Sequence, residues 1–170
     1  MRLYKGKIPE IRDDVYDELT SEGAIEVAPE NEEEVKADIR AVLDEYYRVM
    51  NEEIVPEAND LKAEKDMSFN QAKKEIADRK GVGVDEEAVG YLIEQFIQTF
   101  FHSNFVEEIF ALDREIRKAL APILREHMSV DEELDKEARE QIKNEEEGTQ
   151  AWEVEYQKVM ERLKRTKDLD

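Results

Sequence analysis

Apolar side chains recur every three or four residues along most of the chain, the spacing of one face of an α-helix. One long stripe runs from Val35 to Met50, and the most apolar stripe runs from Val89 to Phe101. Only Leu3–Tyr4 and Ala24–Val27 have weak extended character. The pattern predicts an all-α fold of about six to eight helices, with at most a trace of β structure at those two places.

Capping residues and helix breakers indicate where these helices begin and end. Several starts combine a capping side chain with acidic residues in the first turn, where they favour the helix dipole. Pro56 is expected to kink or restart a long helix, because a proline removes one backbone hydrogen bond. Phe105–Phe110 is predicted to form a short helical turn. Starts are expected at Pro9, Asn31, Ser68, Asp85, Asp113, Asp131 and Thr149.

The stretch Gly81–Val84 is the clearest boundary in the chain. Its two glycines have no strand pattern before them and no third glycine after them, so they do not match a dinucleotide-binding loop. They instead predict a helix stop and a linker. Residues 1–80 and 85–170 are therefore expected to form two helical units that pack as one globular body.

The two predicted units resemble each other when the chain is compared with itself at an offset of 81 residues. Apolar positions then meet apolar positions, and with one deletion Asn51–Ile54 also lies over Asp131–Leu134. An internal duplication is predicted, although two helical stretches of similar period also match at some offset. The central pairs are Val35 with Ile116, Ile39 with Leu120, and Leu43 with Leu124.

The charge of the chain narrows its range of partners. Its 170 residues include 45 acidic and 25 basic ones, for a formal charge of −20. Such a charge disfavours direct binding to nucleic acid or to a membrane and favours a basic protein or a cation, although much of the acid also solvates helix faces. No apolar run approaches the about 18 residues of a membrane span, and no signal peptide is recognised, so a cytoplasmic location is predicted.

Few residues carry the chemistry that catalysis or metal binding needs. Cysteine is absent, and His102 and His127 are the only histidines. Ser103 beside His102 does not make a catalytic pair, because the members of such a pair converge from separate segments. Neither histidine has a glutamate three residues before it, as carboxylate-bridged di-metal sites require. No catalytic, cofactor-binding or metal-binding residue is predicted, and no cofactor is expected.

An interaction surface is predicted around the aromatic segment that follows the most apolar helix. Phe101, Phe105, Ile109 and Phe110 are many large apolar residues for one short connection, although most are expected to face the core. The only tryptophan, Trp152, is expected either to anchor the last helix or to contact a partner. The predicted surface, which would also serve a homodimer, comprises Arg2, Tyr4, His102, Asn104, Phe105, Phe110 and Trp152.

Several segments resemble a bacterial family called domain of unknown function 507. The resemblance is carried by Met1–Ile11, Gly23–Val27, His102–Phe110, Ala121–Arg125 and Glu147–Tyr156, and it covers essentially the whole chain. It implies a short cytoplasmic bacterial protein without an assigned activity. It supplies no catalytic residues.

Three functions remain open from the sequence. The first is a non-catalytic acidic helical module for protein interaction or regulation. The second is a small-molecule enzyme that uses His102 and carboxylates in a cleft between the two units. The third is an acidic module that docks on a basic ribosome or transcription assembly.

Overall fold

The computed structural model describes residues 1–170 and is all-α, with 76% of the residues in helices and 4% in strands. The predicted fold class is therefore confirmed. The eight α-helices begin close to the capping residues that the sequence indicates. They are α1 (Ile8–Ser21), α2 (Glu32–Arg48), α3 (Val55–Lys65), α4 (Phe69–Lys80), α5 (Ala88–His102), α6 (Asp113–Met128), α7 (Val130–Gln141) and α8 (Gln150–Thr166). None of them is long and apolar enough to cross a membrane.

Helices α2 and α3 are joined by a π-helical turn at Val49–Ile54. Pro56 lies in the first turn of α3, directly after this turn, and it lacks the N–H that a residue in a continuous helix would donate. The chain therefore changes its helical hydrogen bonding immediately before the proline, in agreement with the restart expected there.

A small antiparallel sheet joins the two halves of the chain. Strand β1 (Ile25–Val27) pairs with strand β2 (Val106–Ile109), with Ile25 opposite Ile109 and an irregularity between Glu26 and Val27. The prediction of a helical turn at Phe105–Phe110 is wrong, because pairing with β1 supplies the backbone hydrogen bonds that a helix would have made. The extended segment at Leu3–Tyr4 does not become a strand.

The main core is shared between the two units. Helix α1 packs against α2 and α6, while α5 packs against α6 and α2. Burying these faces in one cluster of 30 residues removes their apolar surface from water, which is the dominant favourable contribution to folding. A separate cluster of six residues lies under the hairpin of α7 and α8: Tyr4, Leu134, Ala138, Val159, Leu163 and Leu169.

The two units contain the same order of elements, helix–strand–helix–helix–helix. Ile39 and Leu120 are fully buried, and so are Leu43 and Leu124. A duplication requires both facts, and the superposition of residues 8 to 65 on residues 89 to 145 stays a prediction.

The segment between the units is packed rather than loose. Gly81 ends α4 in the left-handed conformation, with φ of 67°, and Val82 donates its N–H to the carbonyl of Ala77 at 3.0 Å. The side chains of Val82 and Val84 are buried in the main core. The predicted boundary is therefore part of the packing between the units.

Candidate interaction surface

Large apolar side chains are exposed at both ends of strand β2. Phe101 is 66% exposed and Phe105 is 38% exposed before the strand, while Phe110 is 64% and Leu112 is 53% exposed after it. Glu107 and Glu108 are exposed between them. We call this the β2 surface: Phe101, Phe105, Glu107, Glu108, Phe110 and Leu112.

The backbone before β2 is held by a hydrogen-bonded loop. The hydroxyl of Ser103 donates to Oδ2 of Asp38 in α2 at 3.1 Å, and the N–H of Phe105 donates to the Ser103 hydroxyl oxygen at 3.1 Å. This arrangement ties the connection after α5 to another helix. Phe105 is therefore presented from a fixed backbone rather than from a free loop.

The backbone after β2 is held in the same way. The N–H groups of Phe110 and Ala111 both donate to the carbonyl of Ala24, at 2.9 and 3.2 Å. The N–H of Leu112 donates to the Glu115 carboxylate at 2.8 Å and so caps the start of α6. Phe110 and Leu112 are therefore exposed on a segment in which each backbone N–H, from Phe110 to Leu112, has a hydrogen-bond partner.

A groove of about 530 Å³ lies beside Phe110, between the end of α1 and helix α6. Ala24 and Phe110 give it apolar walls, and Glu18, Glu22 and Glu115 give it a negative lining. Lys118 is the one basic side chain among the lining residues. The groove therefore matches an apolar side chain flanked by basic groups.

Strand β2 also has an unpaired edge. The sheet has only two strands, and β2 makes its backbone ladder with β1 alone. An unpaired strand edge offers N–H and C=O groups to another extended segment. In a regular strand, positions five residues apart, as Phe105 and Phe110 are, lie about 17 Å from each other at about 3.4 Å per residue.

Four predicted surface residues lie at or next to β2. His102 ends α5 and Asn104 follows it, and both side chains are exposed. Phe105 and Phe110 flank the strand itself. The structure thus brings these four side chains to the two ends of one short strand.

Two other members of the predicted surface are buried, so the prediction that they face a partner is wrong for them. Tyr4 is 2% exposed and lies in the cluster under α7 and α8. Trp152 is 8% exposed and stacks on Tyr156, with 5.0 Å between the ring centroids. The reading of Trp152 as an anchor of the last helix agrees with this placement.

Arg2 is exposed, but it belongs to a different region of the molecule. Its N–H donates to the carbonyl of Met128 at 2.9 Å, and its guanidinium carbon lies 4.7 Å from the centroid of the Tyr4 ring. Arg2 therefore lies with the α7–α8 hairpin and not with β2.

Two charged side chains of α7, Asp135 and Arg139, contact the aromatic pair of Trp152 and Tyr156. Tyr156 donates a hydrogen bond to Asp135, and Arg139 also binds that carboxylate and lies over the Trp152 ring. The bond from Tyr156 lowers the pKa of Asp135. Burial, together with the same bond, raises the pKa of Tyr156 to about 12. These contacts join α7 to α8.

His102 lines an open groove between α2 and α5, together with Asp38 and Ser103, and it does not reach the cavity where the start of the chain meets α2 and α4. That cavity, of about 460 Å³, is bordered by the first residues of the chain, α2, the π-helical turn, α4, Asp85 and Asp131, and we call it the junction cavity. The hypothesis of an enzyme that uses His102 and carboxylates in a cleft between the units stays a prediction. His127 joins α6 to α1 through Nε2, which lies 2.6 Å from Oδ2 of Asp14.

Phe101 and Leu112 extend the surface beyond the predicted site residues. Phe101 continues the apolar stripe of α5, and only its place at the helix end, next to Phe100, indicates that one of the two faces outward. Leu112 directly precedes the capped start of α6, where a side chain projects from the chain before the helix begins. The signal for Leu112 was present in the sequence as an apolar residue outside any stripe.

Comparison with protein families identifies the family of this chain. The model of a family described as "Protein of unknown function (DUF507)" matches residues 1–169. No curated protein matches the chain.

Proposed function

The chain belongs to the DUF507 family of proteins of unknown function, and from that premise we propose that it is an acidic, non-catalytic module that binds a basic partner protein. The observation that carries the proposal is the exposure of Phe101, Phe105, Phe110 and Leu112 around β2. Exposed clusters of large apolar side chains on a folded protein are typical of binding sites. Aromatic residues also supply much of the binding energy at protein interfaces.

The charge of this region supports a basic partner. Glu107 and Glu108 are exposed along β2, and Glu18, Glu22 and Glu115 line the groove beside Phe110. The whole chain carries −20, so its field attracts cationic surfaces and repels acidic ones. Ribosomal and transcription assemblies contain basic proteins, which such a field attracts.

The unpaired edge of β2 supports an extended binding segment. Such a segment would add a third strand, with one apolar side chain near Phe105 at one end and another near Phe110 at the other. Lysine or arginine side chains at the positions between would face Glu107 and Glu108. The binding motif is therefore an extended stretch with basic residues between two apolar ones.

The first experiment is site-specific photocrosslinking in the native cell. Benzoylphenylalanine is placed at Phe110, and at Val154 as the control, because Val154 is also apolar and 49% exposed but lies on α8. The proposal expects a crosslink from position 110 to a basic, extended segment of another protein. Equal crosslinking from both positions, or a crosslink to a second copy of this chain alone, would overturn it.

The second experiment measures affinity for a synthetic peptide that copies the crosslinked segment. Phe110→Glu is expected to weaken binding at least about tenfold, as the loss of a central aromatic contact does, while Val154→Glu leaves it unchanged. Raising the salt concentration should also weaken binding, because exposed charges are screened. Binding of the peptide that survives both Phe110→Glu and high salt would count against the β2 surface.

A further inference from the structure

The junction cavity lies where the two helical units meet. Its volume of about 460 Å³ falls in the range of small-molecule pockets. Residues from five separate parts of the chain border it, including both units. None of them belongs to the β2 surface, so a ligand here would be independent of the proposed partner.

One carboxylate at this cavity lacks a hydrogen-bond donor. Oδ1 of Asp131 is shielded from solvent and accepts no hydrogen bond. Oδ2 of Asp131 lies 3.5 Å from the amino nitrogen of Met1, longer than a normal hydrogen bond. The Asp131 side chain as a whole is 28% exposed, and rotation about its broad terminal torsion presents either oxygen to the cavity. A ligand ammonium would supply the missing donor.

One cation at the cavity lacks a counter-ion. The guanidinium of Arg2 packs over the Tyr4 ring and forms no ion pair with a carboxylate. Lys73, the other basic side chain of the lining, is neutralised by Oδ1 of Asp85 at 2.6 Å. In a chain of charge −20, a free guanidinium beside a cavity is a ready partner for a carboxylate, which it binds in two-point geometry.

The wall between these charges is apolar. Tyr47, Met50, Val55 and Phe69 line the cavity and are only partly buried by the protein itself. Their free faces lose contact with water when an apolar body enters, which is favourable. The cavity therefore combines an acceptor, a cation and an apolar wall.

Two features of the backbone coincide with this place. Met50 and Asn51 belong to the π-helical turn, a rare geometry that occurs frequently at functional sites. Asp85 has a positive φ of 52°, a conformation that aspartate adopts more readily than most residues.

We propose that the junction cavity binds a small zwitterion with an apolar body, for which an apolar α-amino acid is the simplest example. The ligand ammonium donates to Asp131, its carboxylate accepts from Arg2, and its side chain packs on Tyr47 and Phe69.

The test is calorimetric titration of the full chain with three probes that share one ring. L-phenylalanine carries both charges, 2-phenylethylamine lacks the carboxylate and 3-phenylpropionate lacks the ammonium. L-phenylalanine, or L-leucine in its place, is expected to bind, and each single-charge probe at least about tenfold more weakly. Absence of binding by both amino acids, or equal binding of a single-charge probe, would overturn the proposal.

Variants locate the site on the protein. Asp131→Asn and Arg2→Gln are each expected to weaken L-phenylalanine binding at least about tenfold. The controls are Glu132→Gln and Arg165→Gln, which remove the same charges at exposed positions outside the cavity. Circular dichroism verifies that all four variants fold. Equal losses in variants and controls would show a general charge effect and refute the assignment.

Discussion

At the scale of single residues, Gly83 lies at a contact between the units that leaves no room for a side chain. The hydroxyl of Tyr46 donates to the carbonyl of Gly83 at 3.0 Å, and burial raises the pKa of Tyr46. A Cβ atom on Gly83 would lie 2.6 Å from Cβ of Tyr91 and 2.7 Å from the carbonyl oxygen of Glu87. Neither contact can relax easily, because both atoms belong to or directly adjoin the backbone.

We expect Gly83→Ala to lower the free energy of unfolding by about 1–3 kcal/mol, as overpacking does, in urea denaturation. Gly90→Ala is the control, since Gly90 lies within α5 and a Cβ there would meet nothing within 4 Å. That control should stabilise the protein by about 0.5–1 kcal/mol through helix propensity. Effects of the same sign in both variants would contradict the steric argument.

Tyr156 and Asp135 predict a pH dependence at the second cluster. The folded pKa of Asp135 is lowered, so its contribution to stability is complete above the unfolded value of about 3.9 and is lost as the pH falls through the folded pKa. In Tyr156→Phe the pKa of Asp135 should rise toward its ordinary value, because the main hydrogen-bond donor is gone. Nuclear magnetic resonance titration of the Asp135 carboxyl carbon measures this shift.

The same variant should lose less stability than the wild type when the pH is lowered below about 4, since its carboxylate is less stabilised when folded. Tyr47→Phe is the control, because the hydroxyl of Tyr47 makes no contact with Asp135. An unchanged Asp135 titration in Tyr156→Phe would show that Arg139 alone determines its pKa.

The placement of individual aromatic residues was only partly predictable from the sequence. The excess of phenylalanine around β2 indicated that some would be exposed, and Phe105 and Phe110 are. Tyr4 and Trp152 have the same kind of side chain, but a hairpin distant in the sequence covers Tyr4, and Tyr156 covers Trp152. Exposure of a single residue depends on these long-range neighbours, which no local pattern contains.

At the scale of elements, the start of α4 has a complete capping box. The hydroxyl oxygen of Ser68 accepts from the N–H of Gln71 at 3.2 Å, and the side-chain oxygen of Gln71 accepts from the N–H of Ser68 at 3.0 Å. Two N–H groups at the helix start, which the helix itself cannot pair, thereby gain partners. The pattern of serine followed three residues later by glutamine is visible in the sequence.

We expect Ser68→Ala to lower the free energy of unfolding by about 1 kcal/mol, the usual cost of losing a helix cap. Ser21→Ala is the matched control, because Ser21 is the last residue of α1 and caps no helix start. Its hydroxyl lies 3.5 Å from the carbonyl oxygen of Glu18. Its effect should stay within about 0.5 kcal/mol. Thermal unfolding of both variants measures these two changes in stability. Equal losses of stability would contradict the role of Ser68 as a cap.

The helices were predictable because their burial follows a period that local sequence contains, and strand β2 was not. Val106 and Ile109 are three residues apart, a spacing that also fits a helix. The pairing that makes this segment a strand comes from Ile25–Val27, in the other half of the chain. A hydrogen-bonding partner so far away leaves no trace in the local pattern.

At the scale of the whole molecule, the two apolar clusters differ in size. The main cluster has 30 residues, and the cluster under α7 and α8 has six, one of which is Tyr4 from the start of the chain. Regions with few buried apolar contacts open at lower free energy than the rest of a protein. The α7–α8 hairpin is therefore expected to open locally before the main core unfolds.

Hydrogen exchange of Tyr4→Ala tests this expectation. The loss of a large buried side chain should cost about 3 kcal/mol and speed the exchange of amides in α7 and α8 while those of α5 change little. Tyr16→Ala is the control, because Tyr16 is similarly buried but lies in the main cluster. If Tyr4→Ala instead speeds exchange equally in all helices, the hairpin is not a separate unit of stability.

The set of residues that lines the junction cavity could not be predicted from the sequence. Arg2, Phe69, Asp85 and Asp131 come from distant segments, and none stands in a motif with the others. The hypothesis of a cleft between the units involved His102, which lies in a separate groove with Asp38. Only the packing of the two units specifies which side chains meet.

Helices and strands of the first unit pack against elements of the second unit, and this has a consequence for protein synthesis. Helix α1 packs against α6, α2 packs against α5, and β1 pairs with β2. The first unit therefore leaves the ribosome before the elements that cover it have been synthesised. The end of α6 follows the end of α2 by roughly 80 residues, or about 4–16 s at ordinary translation rates. During that interval the nascent chain exposes apolar helix faces to chaperones. We expect chains arrested just after Gly81 to be cut rapidly by protease, whereas chains arrested with α6 outside the tunnel resist it.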